Sequence, residues 1–109
     1  MFSQSSRIQK GDIVRIMKEG VSYHSPSFSL KVLKNSSNKP LFAVVISKKV
    51  AKTAVSRNKN KRRVREVVKK YSQQIPQNNF YIVTIKKDLN KNVFQDLLSE
   101  MKDVLAKVR

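Results

Sequence analysis

The sequence predicts an α+β fold, a single-domain α-β sandwich in which a small mixed sheet is packed with helices. Three observations predict it. The chain has 109 residues, which suits one compact core and leaves little room for a second. Two short, continuously apolar runs, LFAVVIS and FYIVTIK, have the character of central strands covered on both faces. Around them lie segments whose apolar residues recur at helical spacing. No repeat, low-complexity tract or long linker divides the chain, so one domain over 1–109 is expected.

The elements follow in order. GDIVRIMKEG reads as a helix, with Asp12 as N-cap, apolar Ile13, Ile16 and Met17, and Gly20 as the stop. SFSLKVLK alternates Phe28, Leu30 and Val32 with Ser29 and Lys31, the period of a half-exposed strand. YHSPS, before it, reads as a surface loop, and NSSNKP as a turn or loop. LFAVVIS is the first central strand, and KKVAKTAVS a basic connector into a helix opening at Arg57. Pro76 in QQIPQNN forbids that helix from continuing. FYIVTIK is the second central strand. A final helix from about Asn92 carries Val93, Phe94, Leu97, Leu98, Met101, Val104, Leu105 and Val108 on one core-facing stripe. The expected order is α-β-β-α-β-α.

Charge narrows the function. Lys and Arg total 24 against 7 acids, a formal charge of +17 and a pI of about 10.6. Self-repulsion on that scale points to a polyanionic partner. The hydrophobic content of 39% is clustered and periodic, unlike a disordered basic tail. From Gly20 to Arg65 there is no acid, while twelve Lys or Arg fall in that interval. Cysteine is absent, which excludes disulfides and thiolate metal sites and fits a reducing compartment. No signal-peptide run or membrane-length apolar stretch is present, so a cytoplasmic protein without membrane association is expected. A self-sufficient enzyme is disfavoured. His24 is the only histidine, no carboxylates are paired, and two glycines do not make a phosphate loop.

The segment RNKNKRRVREVVKKY carries eight Lys or Arg in its first fourteen positions, with Glu66 the only acid. At roughly 100° per residue, Arg57, Lys61, Arg65, Asn58, Lys69 and Arg62 share one arc of roughly 140°. Val64, Val67, Val68 and Tyr71 gather on the adjoining arc. Like charges at i, i+4 destabilise an isolated helix by a few tenths of a kcal/mol per pair. The pattern therefore predicts a helix fixed by its valines that presents cations to phosphates.

FAVVISKKVAKTAV followed by SRNKNKRRVREVVKKY resembles the signature of the bacterial ribonuclease P protein subunit family. In that family a strand ending in Ser-Lys-Lys leads through a loop to an Arg-Asn-Arg motif. Here Ser47, Lys48 and Lys49 match the strand end, and Arg57, Asn58, Lys61, Arg62 and Arg65 match the motif. Arg7-Ile8, DIVRIMKEG and FSLKVL resemble the family's lead-in, first helix and first strand. Three departures stand out: Lys59 where Arg is commoner, Ala51 where the loop usually has Gly, and Ile13 and Met17 where Phe is usual.

The resemblance implies a ribosomal-protein-like sandwich similar to the fourth domain of the translocase elongation factor, with a left-handed βαβ crossover against the usual rule. It implies a protein subunit whose partners are ribonuclease P RNA and precursor tRNA, with no protein partner required. The RNA subunit is the catalyst, and Mg2+, bound mainly by that RNA, is the cofactor. Lys49, Arg57, Asn58, Lys59, Lys61, Arg62 and Arg65 would contact the catalytic RNA. Ile13, Met17, Phe28 and Lys31 would line a groove for the 5′ leader of precursor tRNA. Other roles remain open: helix capping for Asn58, and plain core packing for Ile13, Met17 and Phe28. A ribosomal-type structural RNA-binding protein is the competing function.

Overall fold

Alternation along two central strands organises the molecule. A computed structural model of the chain describes residues 10–35, 41–71, 73–75 and 78–108. The lead-in Arg7-Ile8, most of the NSSNKP segment and Pro76 lie outside them. The elements are α1 (Lys10–Glu19), β1 (Val21–His24), β2 (Phe28–Lys34), β3 (Leu41–Ile46), α2 (Ala54–Tyr71), β4 (Asn79–Ile85) and α3 (Phe94–Leu105). The sheet order is β1-β2-β4-β3. β1–β2 and β2–β4 are antiparallel, and β3–β4 is parallel. β3, α2 and β4 thus form a βαβ unit inside a mixed, open sheet.

The two faces of the sheet are covered unequally. Phe28, Leu30 and Val32 of β2 join Tyr81, Val83 and Ile85 of β4 in a large core. Val64, Val67 and Val68 of α2 and Leu97, Met101 and Val104 of α3 close it. On the other face Ile16 of α1 packs with Phe80 and Ile82, flanked by Ile13, Leu33, Leu41 and Ala43. The junction from α1 into the sheet is tight at Gly20. A Cβ there would stand 2.6 Å from the Ile16 carbonyl oxygen and 2.9 Å from Lys31 Cγ. Only glycine lets this helix end rest on Lys31.

Several expectations need correction. The sequence showed no strand at Val21–His24, because four mostly exposed residues of an edge strand carry no apolar alternation. β3 is an edge strand, not a central one. Its run is apolar because Leu41 and Ala43 face α1 while Phe42 and Ile46 face the main core. Asp12 lies inside the first turn of α1, where its charge suits the helix dipole, rather than at the cap. α2 starts at Ala54, before Arg57, and Thr53 Oγ1 accepts a hydrogen bond from the Ser56 amide at 3.1 Å. Val93 precedes α3 and is 63% exposed, outside the stripe. Phe28 is fully buried in the main core, so it cannot line a groove on the α1 side.

Candidate nucleic-acid interface

The setting of α2 on the core decides which cations face outward. Val64, Val67 and Val68 hold it from below, and Asn60, also fully buried, locks its rotation. Asn60 Nδ2 donates to the Ser56 carbonyl at 2.9 Å and to Asp88 Oδ1 at 3.2 Å. Its Oδ1 accepts from the Leu89 amide at 2.6 Å. The amides of Asn90 and Asn60 together hold the Asp88 carboxyl below its ordinary pKa. Further along, Arg63 donates to the Asn92 carbonyl and Tyr71 to the Leu98 carbonyl. This latch to the β4–α3 loop and to α3 itself escaped sequence reading. Its signal was present, since Asn60 is a polar residue on the valine arc.

With that phase fixed, Asn58, Lys59, Arg62, Arg65, Lys69 and Lys70 are exposed, and Lys61 is half-buried. On one flank, Lys59, Arg62, Arg63 and Asn90 line an open recess of about 370 Å³. On the other lies the connector from β3. Ser47 accepts from the Val50 and Ala51 amides, each at 3.2 Å, forming a turn that leaves Lys48 and Lys49 exposed. Arg57, expected to face RNA freely, is half-buried, and its Nη1 donates to the Ala51 and Lys52 carbonyls, both at 3.1 Å. Arg57 thus shapes the connector as well as extending the basic arc. Ala51 needs none of glycine's freedom: no described non-glycine residue has positive φ, and its methyl is buried in the core.

On the opposite face, Lys31 is half-buried beneath the end of α1. Ile13 is half-buried against the sheet, whereas Met17 is 47% exposed. Arg15, which sequence reading passed over, places its guanidinium 5.6 Å from the centre of the Phe80 ring. The basic arc of α2 and the α1 face therefore lie on different sides of the sheet. Beyond α1, the β1–β2 turn is held by α3. Ser25 Oγ and the Ser27 amide donate to Glu100 Oε2 at 2.5 and 2.7 Å, and Ser27 Oγ to Oε1 at 2.9 Å. Burial alone would raise the Glu100 carboxyl, but these bonds and nearby Lys87 bring it below its usual value. The segment read as a surface loop is tied down by these bonds.

Comparison with known proteins agrees along the chain. The family model described as Ribonuclease P matches residues 2–109. The ribonuclease P protein component of a Pseudanabaena species is 30% identical, covering 100% of this chain and 96% of that protein. That of Aliivibrio fischeri is 32% identical over 92% of this chain and 88% of its own length. Among solved structures, the RNase P protein of Thermotoga maritima superposes with a TM-score of 0.86 at 26% identity, covering 94% of this chain and 97% of that one. The Staphylococcus aureus protein gives 0.81 at 29% identity, covering 94% and 96%. These likenesses favour the ribonuclease P reading over the ribosomal-type alternative.

Proposed function

The chain belongs to the ribonuclease P protein family, and from that premise we propose how its two surfaces divide the work. As a member it is the protein component of an endoribonuclease holoenzyme in tRNA processing, with an RNA subunit as partner. The proposal is that α2 docks on the catalytic RNA through Asn58, Lys59, Lys61, Arg62 and Arg65, with Lys49 and Arg57 at the rim. The α1 face, with Ile13, Met17 and Lys31, takes the 5′ leader of precursor tRNA. One observation carries this reading: a helix whose inward side is locked by Asn60 and three valines holds its cations outward in one fixed array.

Fixed cations answer a specific difficulty. A folded RNA that accepts an RNA substrate repels it, and each positioned guanidinium or ammonium lowers that repulsion without the cost of immobilising a free ion. Asn58 adds an amide that both donates and accepts. Magnesium is the cofactor that the family resemblance implies. The proposal leaves the ion with the RNA and routes no step through the protein. The whole of 1–109 acts as one domain in it.

The test is salt dependence. Affinity for the RNA subunit should fall by roughly 0.7 to 0.9 log units per log unit of salt for each phosphate neutralised. Arg62→Ala should lower that slope by about one unit. A slope unchanged by the substitution would remove α2 from the interface. Specific cleavage of precursor tRNA by protein rigorously freed of RNA would refute the division between catalyst and cofactor.

A further inference from the structure

α1 covers only one end of its sheet face, around Phe80, Leu33 and Leu41. Beyond it the strand register builds a row across all four strands. His24 stands opposite Ser29, Ser29 opposite Thr84, and Thr84 opposite Val45. The neighbouring row on the same face runs Ser22, Lys31, Ile82, Ala43. Ser29, Thr84 and Lys31 are half-buried, Ser22 and His24 exposed. Among the described residues the hydroxyls of Ser29 and Thr84 have no side-chain hydrogen bond. This part of the face thus joins small hydroxyl side chains and one lysine to the exposed Val45, and the fold makes no use of the two hydroxyls.

Recognition of single-stranded nucleic acid usually joins cations along the phosphates to aromatic rings under the bases. The first is present in Lys31. The second is not, among the described residues of this face: Phe80 is only 6% exposed and has Arg15 over its ring. Phe28 and Tyr23 belong to the opposite core. What the face offers instead is hydroxyl chemistry. Ser29 and Lys31 are separated by two residues of β2, about 6.7 Å, and Ser29 and Thr84 by one inter-strand step, about 4.8 Å. These backbone spacings keep the hydroxyl pair within about one nucleotide of Lys31.

We propose that the Ser29–Thr84 hydroxyl pair reads the ribose of the leader, hydrogen-bonding its 2′-hydroxyls and so selecting an RNA leader over a DNA leader of the same sequence. A serine or threonine hydroxyl donates and accepts, as the 2′-hydroxyl does, and that group distinguishes the two nucleic acids. The inference rests on the leader reading of the α1 face. It makes the sheet a sensor of sugar chemistry, tolerant of base sequence.

The experiment measures equilibrium binding of the holoenzyme to two precursor tRNAs. One leader is all ribose; the other is 2′-deoxy upstream of the nucleotide at the scissile bond. The deoxy leader should bind about three- to tenfold more weakly, the range for one or two modest hydrogen bonds. Ser29→Ala with Thr84→Val should bring the ribose leader down to the deoxy level. Ser29→Thr with Thr84→Ser, which keeps both hydroxyls, should restore the difference. Equal binding of the two leaders by the unmodified holoenzyme overturns the proposal, whether or not any variant folds. So does a difference that survives loss of both hydroxyls. Lys31→Ala separates the two levels of the argument. If it weakens precursor but not mature tRNA while the sugar makes no difference, the groove stands and the ribose reading falls.

Discussion

The two faces of the sheet solve different problems. On the α2–α3 side, three α2 valines, Asn60 and the side chains of α3 bury one helix against another and both against the strands. On the α1 side Ile16 is the fully buried helical residue among those described, and beyond it Ser22, His24 and Val45 of the sheet are exposed. Under the proposed division of work, the difference is between a surface that must be rigid and one that must admit a chain. An array of cations is useful only if its spacing is held. A groove for single strands needs exposed strand residues, and any second covering helix would close it.

Four measurements can break or sharpen that contrast. The largest effect is expected from Arg62→Ala with Arg65→Ala, both exposed on α2. Two lost charge-assisted contacts at about 1.5 kcal/mol each should weaken RNA-subunit affinity on the order of a hundredfold while the protein stays folded. Cleavage should slow at low magnesium and recover as magnesium is raised. Lys102→Ala with Lys107→Ala, exposed on or just after α3, removes the same charge elsewhere. If the two pairs behave alike, net charge matters and geometry does not. Arg57 is a poor choice for this test, because its loss also frees the connector carbonyls.

Second, Asn60→Ala should cost about 2–3 kcal/mol of stability by orphaning the buried Leu89 amide. The check is thermal unfolding by circular dichroism, and an unchanged transition would mean that valines alone hold α2. Third, Lys31→Ala should weaken precursor tRNA binding about three- to tenfold and spare mature tRNA. Equal losses would take Lys31 out of the groove. The smallest effect concerns Glu100. Its folded pKa lies below the ordinary carboxylate value, so its contribution is present above that ordinary value and lost as pH falls through the lower folded one. Glu100→Gln should flatten the acid side of the stability profile, with little change in its slope near neutrality. An unaltered acid limb would show that the Ser25–Ser27 clasp adds nothing.

The rigid face was the more legible one in the sequence. Val64, Val67 and Val68 announced the inward side of α2, and the stripe from Leu97 to Leu105 did the same for α3, because periodicity records burial directly. The α1 face carries less of that signal. β1 is an exposed edge strand with no alternation to detect, and β3 looks central because its two faces meet different helices. Phe28 was assigned to the groove beside Lys31, although residues three apart on a strand point to opposite faces. That error was avoidable. The clasps of Arg57 on the Ala51 and Lys52 carbonyls and of Glu100 on Ser25 and Ser27 were not. Each joins a side chain to a loop whose path is set only by the finished fold.

The sheet order carries a consequence for synthesis. β4 pairs with both β2 and β3, yet it is the last strand along the described chain. Until it arrives, the β1–β2 hairpin and β3 have no common partner, and α2 has no finished floor for its valines. A chain growing from its N-terminus therefore displays its most cationic helix before the fold that will anchor it. Such a nascent segment is adhesive toward any RNA nearby, and pairing of β4 is the event that converts sticky charge into a shaped surface.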